Sequence, residues 1–283
     1  MQNTSAETRI HFSEKFIAFV DVLGFTNLVE DAEAGRGMRL DELVELVKCL
    51  GSNEDQKKIE RRGPTTCPHS GYTQRNLDFR ITQISDCVVV SSEISPAGII
   101  NLMNHCWVAV IRLLQSGIMC RGYITRGSIY HTDAQVIGTG YQRAFRNERQ
   151  VGAFKREADE RGTPFVEVDK SVCDYVSSSG DTCVTEMFSR MVKADGDTVV
   201  LFPFKRLAHN FVIRHSEAFD PDRNLRANEN VRTMVRRLKD QLISFVDITN
   251  PDAVRKSEHY LRCLDVQLAV CDQTEAFLKL YKS

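Results

Sequence analysis

Two rhythms of apolar and polar positions run through the chain and set out its elements. "KFIAFVDV" (15–22) is a short, nearly unbroken apolar run of β-branched and aromatic residues, which predicts a buried strand. Residues 25–50 then carry helical spacing (Leu28, Val29, Leu40, Leu43, Leu46, Val47), interrupted near Gly35 and Gly37. Residues 51–77 are polar, with Gly, Pro and a run of charge, and read as a surface excursion. "LDFRITQI" and "CVVVSSE" predict two strands joined by a tight hairpin at Ser85-Asp86. Ser95 caps the next helix, Pro96 sits in its first turn, and Gly117 ends it; Ile99, Leu102, Met103, Cys106, Val110 and Leu113 share one face. "MCRGYITRGSIYH" reads as a strand, and "AQVIG" as a short strand opening a helix over "TGYQRAFRNERQVGAFKREADE". "TPFVEVD" and "TVVLFPF" supply further strands. Two long helices, 224–247 and 251–281, close the pattern. The order predicts an α+β fold in which one sheet is covered on one face by helices. A tail (1–13), a main unit (14–205) and a helical extension (206–283) are the expected divisions.

Charge and cysteine content narrow the function. Lys and Arg (37) nearly balance Asp and Glu (38), for a net charge of -1. A general polyanion-binding surface is not expected, so nucleic acid is not a predicted partner and any phosphate chemistry must be local. No apolar run reaches the ~20 residues that span a bilayer, and the N-terminus has no basic start followed by an oily stretch. Nine cysteines at irregular spacing, with no C-x-x-C pair, fit a reduced, cytoplasmic protein. His69 beside Cys67 lacks a second ligand pair and reads as loop rather than zinc site. His209 and His215 have no partner that the sequence identifies.

Two aspartates remain to be explained. Asp21 ends the first apolar run and Asp86 sits in the hairpin, yet a buried carboxylate costs several kcal/mol unless it is paired, hydrogen-bonded or bound to a cation. Carboxylates on neighbouring strands could share Mg²⁺ or Mn²⁺, with substrate phosphates completing the shell. After Asp21 the chain turns through Gly24 into a helix, so the N–H groups of residues 22–26 can face an anion. Gln142 and Arg146 lie four apart on a helix, where an amide and a guanidinium can orient a ribose and stabilise phosphoryl charge. Each feature also has a plainer reading: a helix cap for Asp21, a turn residue for Asp86, a solvated face for Arg143, Arg146 and Arg149.

Together these segments resemble the class III nucleotidyl cyclases over about residues 14–202. "FVDVLGFTNLVE" is similar to the first metal motif of that family, and "QISDCVVV" to its second metal hairpin, with Ser in place of the usual Gly. "RGYITRGSIY" resembles the central strand and turn, and "VIGTGYQRAFRNE" the helix with the catalytic Asn and Arg. The resemblance implies a ferredoxin-like catalytic domain and two divalent cations, Mn²⁺ or Mg²⁺, with Asp21, Val22 and Asp86 as the metal-site residues. It places Phe25 and Thr26 at the substrate, Arg146 as the transition-state arginine and Gln142 where the family has Asn. Lys193, in "MVKADGDTVVLFPF", matches a phosphate-binding lysine. The family builds its site between two protomers, so a homodimer is implied.

The base-reading positions correspond to Thr82 and Gln135, neither of which matches the pairs that read adenine or guanine. With the helical extension, this resembles the bacterial pyrimidine cyclases of the Pycsar anti-phage system. Those enzymes make cyclic UMP or cyclic CMP, which a separate cyclic-nucleotide-binding effector reads. The implied reaction is attack of the ribose 3′-hydroxyl on the α-phosphorus of UTP or CTP with release of pyrophosphate. Gln135 can serve either base by flipping its amide and Thr82 can donate or accept, so both bases stay open, with UTP favoured. The alternatives are a purine (adenylate) cyclase and an inactive nucleotide-sensing dimerisation module.

Overall fold

The central strand β1 (Ser13–Val22) is apolar on both sides, because both of its faces are covered. A computed structural model describes residues 10–63, 67, 70, 76–205 and 219–281. His69, His209 and His215 lie outside the described residues. After β1 come helices α1 (Phe25–Glu33), α2 (Leu40–Lys48) and α3 (Asn53–Arg62), then the hairpin β2 (Phe79–Ile84) and β3 (Cys87–Glu93). Helix α4 (Pro96–Gln115) leads to β4 (Cys120–His131), β5 (Val136–Ile137) and α5 (Thr139–Glu148). The order ends with β6 (Val166–Val168), α6 (Lys170–Ser178), α7 (Thr182–Met191), β7 (Val192–Asp195), β8 (Thr198–Leu201), α8 (Pro221–Phe245) and α9 (Pro251–Leu280).

The strands form a sheet in the order β2-β3-β1-β4-β6-β8-β7, with β5 paired to β4 outside that path. Around β1 every pairing is antiparallel, which gives the connectivity of two interlocked split βαβ units. Beyond it, β4 and β6 are parallel, so the sheet is mixed rather than wholly antiparallel. The chain reaches β6 from β4 through α5 and a long crossover, a route that delivers a parallel strand.

The expected single covered face is also corrected. Phe16, Ala18, Val20 and Val22 face the large core built with α4, while Ile17 and Phe19 face a smaller core under α5. Two glycines allow that second contact. A Cβ on Gly140 would stand 2.3 Å from Ile17 Cδ1 and 3.0 Å from the Gly127 backbone, and one on Gly127 would stand 2.9 Å from Gly140 Cα. Helix and strand therefore touch backbone to backbone.

Helix α4 begins as expected, with the Gly98 N–H donating to Ser95 Oγ at 3.0 Å. Among the described residues it alone is long and apolar enough to cross a bilayer, and 78% of its apolar window is buried in the fold. Three readings change. Part of the polar excursion forms α3, fastened by a capping box between Ser52 and Asp55. Helix α5 stops at Glu148 instead of running on to 160, because the Val151 carbonyl accepts from the N–H groups of Gly162 and Thr163 and closes a loop. Helices α6 and α7 occupy a stretch without an expected element, their first turns held by Asp169 and Asp181. The C-terminal pair α8 and α9 falls within a few residues of its expected limits, and Val235, Leu242, Tyr260 and Leu264 join the large core.

Candidate active site

Strand alternation decides where Asp21 points. It shares the α5-facing row with Ile17 and Phe19, opposite Cys87 on β3 and Arg121 on β4. Asp86 arrives beside it because β2 and β3 are joined by two residues, Ser85 and Asp86. The Val22 N–H donates to the Asp86 carbonyl at 3.0 Å, tying the hairpin to the end of β1. Ser85 takes a φ of 54°, a left-handed conformation that glycine adopts more readily. Two carboxylates distant in the sequence thus meet at one end of the sheet.

Their electrostatics are those of a crowded acidic pocket. Burial, then Asp86 and Glu148, push the Asp21 carboxyl up to about 7, against the opposing pull of Arg121 and Arg149. The Cys87 thiol is pushed up to about 12 by burial and by Asp21 and Asp86, so it stays protonated. Glu148 is 2% exposed and accepts from Arg121 Nε, while Arg121 Nη1 donates to the Gly162 carbonyl at 3.2 Å. Gly162 has a φ of +72°, and a Cβ there would stand 2.7 Å from Arg121 Nη1. The arginine is thereby committed to Glu148 and leaves Asp21 only partly compensated.

A divalent cation fits this donor set. Asp21 and Asp86 offer hard carboxylate oxygens whose mutual repulsion a cation relieves, and Mg²⁺ and Mn²⁺ are commonly held by one or two carboxylates plus substrate phosphates. Among the described residues no group of three or more His, Cys, Asp or Glu side chains forms a complete cage. Substrate would have to supply the remaining ligands. Next to the pair, α1 starts on Gly24, whose φ of 76° turns the chain, with no side-chain cap and no acidic residue in its first turn. The N–H groups at Phe25 and Thr26 accordingly lie at an open helix N-terminus.

The other expected residues lie elsewhere. On α5, Gly140, Ala144 and Glu148 are buried, whereas Gln142 and Arg146 are exposed. A spacing of two residues on a helix separates the faces, so one chain does not bring Gln142 and Arg146 onto Asp21 and Asp86. Arg146 makes no ion pair among the described residues. Lys193 is on β7, at the far edge of the sheet, with its ammonium 4.7 Å from the Phe202 ring centre and 5.5 Å from that of Phe154. Packing on two rings is its role within one chain.

Thr82 and Gln135 come close through the β4–β5 turn. Thr82 Oγ1 donates to the Thr132 carbonyl at 3.4 Å, and Thr132 exchanges backbone and side-chain bonds with the Gln135 backbone. The Gln135 side chain is exposed. Glu148, Arg121 and His131 were not anticipated. A signal existed for the first two: Glu148 continues the inward row of Gly140 and Ala144, and Arg121 interrupts an apolar strand, so each needed a buried partner. No protein-family model matches the chain, and no curated protein is significantly similar to it.

Proposed function

We propose that this protein is a pyrimidine nucleotide cyclase of the class III type, forming cyclic UMP, or cyclic CMP, and pyrophosphate from the triphosphate. The observation that carries the reading is the meeting of Asp21 and Asp86 at one end of the sheet, beside the open N-terminus of α1. The split βαβ order around β1 supports the ferredoxin-like arrangement that such a cyclase requires.

In the reaction the 3′-oxygen bonds to the α-phosphorus, the bond to the β-phosphate oxygen breaks, and the hydroxyl proton leaves to solvent. Asp21 and Asp86 would hold divalent cations, whose Lewis acidity would lower the pKa of the attacking hydroxyl and offset the charge of the leaving pyrophosphate. The N–H groups at Phe25 and Thr26 hold triphosphate oxygens. Gln142 orients the ribose and Arg146 stabilises charge on the transferring phosphorus, both from a second copy, since their own chain turns them outward. The active form is therefore a homodimer with two sites. Lys193 contributes only if it leaves its two rings. The product acts as a messenger for a separate cyclic-nucleotide-binding effector in cytoplasmic anti-phage defence.

The test is incubation of purified protein with each of the four ribonucleoside triphosphates and Mn²⁺, with products identified by mass spectrometry. Cyclic UMP or cyclic CMP is expected as the main product, and Arg146→Ala is expected to slow its formation by about 10²–10³-fold. Predominant cyclic AMP, or no cyclic product, would overturn the reading.

A further inference from the structure

The distal end of β4 turns over the α5-facing side of the sheet and sets His131 between two hydroxyls. Its Nε2 is 2.9 Å from Thr82 Oγ1 on β2, and its Nδ1 is 2.8 Å from Ser91 Oγ on β3. The ring is 7% exposed and Ser91 is fully buried. Burial, with Lys15 and Arg80 nearby and against Asp78 and Asp133, pushes the imidazole down to about 4. It is neutral at pH 7 and carries one N–H and one bare nitrogen.

Two arrangements satisfy the distances, and hydrogen accounting separates them. With the proton on Nδ1, the ring donates to Ser91, and the Ser91 O–H is buried with no acceptor among the described residues. A buried donor left without a partner biases the equilibrium against that tautomer by about tenfold or more. With the proton on Nε2, Ser91 donates to Nδ1 and Nε2–H donates to Thr82, so every buried hydrogen finds an acceptor. Thr82 is then left with its own O–H, whose acceptor in the fold is the Thr132 carbonyl at 3.4 Å. That is beyond the usual O–H···O range of about 2.5–3.0 Å, so the hydroxyl is available to a better acceptor. Thr82 also borders a cleft of about 600 Å³ beside the sheet edge, shared with Gln83, Asp133, Lys48 and Ser52. Small-molecule sites span roughly 300–1,000 Å³.

We infer that His131 is a specificity-positioning residue: its Nε2–H occupies one of the two acceptor lone pairs of Thr82 and leaves the Thr82 O–H, only weakly used by Thr132, as the stronger remaining handle, which favours a base that presents a carbonyl over one that presents an amino group. Among pyrimidines this selects uracil, through O4, over cytosine, whose N4 amino group is a donor. The inference rests on the cyclase reading for the role of Thr82, whereas the tautomer rests on the fold alone.

The experiment has two arms, both on the full chain. In the first, ¹⁵N-histidine NMR should show His131 protonated on Nε2 and bare on Nδ1; the reverse overturns the inference. In the second, UTP and CTP compete with Mn²⁺ present, and wild type is expected to prefer UTP by about tenfold or more in kcat/KM. Ser91→Ala, which frees the tautomer, should shrink that preference severalfold, and Thr82→Val should bring the two substrates to within about twofold. Preference for CTP, or a ratio that Ser91→Ala leaves unmoved, overturns the inference. Absence of cyclic product from all four triphosphates would instead remove the cyclase reading, and calorimetric binding of UTP against CTP then decides. Equal binding, or none, overturns the specificity role.

Discussion

Asp21 and Asp86 were legible as residues because an acid at the end of an apolar run is costly and demands a reason. Glu148 and Arg121 were harder to see, since their need for each other appears only when strand register brings β4 beneath the end of α5. His131 was hidden entirely: in "IYHTDAQ" it reads as the approach to a turn, and only the fold lays it across Ser91 and Thr82. Its burial has a consequence for stability. The imidazole is held at about 4 in the fold against 6.5 when free, so the unfolded chain binds more protons across that window. Stability from this group is complete above pH 6.5 and is lost as pH falls toward 4. Relative to His131→Gln, wild type should lose about 3 kcal/mol between pH 6.5 and 4 in urea melts at matched pH. Lys15, Arg80, Asp78 and Asp133 flank position 131 in both proteins, so their own contributions largely cancel in the difference.

Element by element, strong periodicity was readable and short pieces were not. Helices α4, α8 and α9 emerged from apolar spacing and capping residues, while α6 and α7 are short, nine and ten residues, and their starts at Asp169 and Asp181 are marked by single capping residues. The stop of α5 at Glu148 depends on a loop closed by Val151, a long-range bond that no local pattern announces. Helix α5 also depends on having no side chain where it meets β4. Gly140→Ala should push α5 off the sheet, costing about 1–3 kcal/mol by overpacking. Thermal melts would register that loss, and product formation should fall with it because Glu148, Gln142 and Arg146 all ride on this helix. Unchanged stability would show that Ile17 and β4 yield more easily than a backbone contact allows.

At the scale of the molecule, the α+β class and the helical C-terminal part were legible, and the mixed sheet was not, because the β4–β6 pairing joins segments separated by a helix and a loop. The C-terminal helices belong to the core. Tyr260 on α9 is 2% exposed, stacked at 5.0 Å on Phe165 and edge-on to Phe204. Tyr260→Ala should cost about 3–5 kcal/mol in chemical denaturation, as for other large buried aromatics. A loss under 1 kcal/mol would mean that α9 merely rests on the main unit. The separation of Asp21 and Asp86 from Gln142 and Arg146 leads to a second expectation at this scale. Asp21→Asn and Arg146→Ala proteins, each expected to be strongly impaired alone, should regain up to about a quarter of wild-type activity when mixed, because one of the two sites of each hybrid dimer is intact. No recovery on mixing, with exchange of subunits demonstrated, would place both halves of the site in one chain.

The proposed function descends from a pair of carboxylates offered to divalent ions, and Mn²⁺ binding followed by electron paramagnetic resonance addresses that pair directly. With a non-reactive uridine triphosphate analogue present, wild-type protein should take up Mn²⁺, and Asp21→Asn and Asp86→Asn should each weaken uptake by about tenfold or more. Uptake unchanged in both variants, or no uptake by the wild type, would contradict the proposed site.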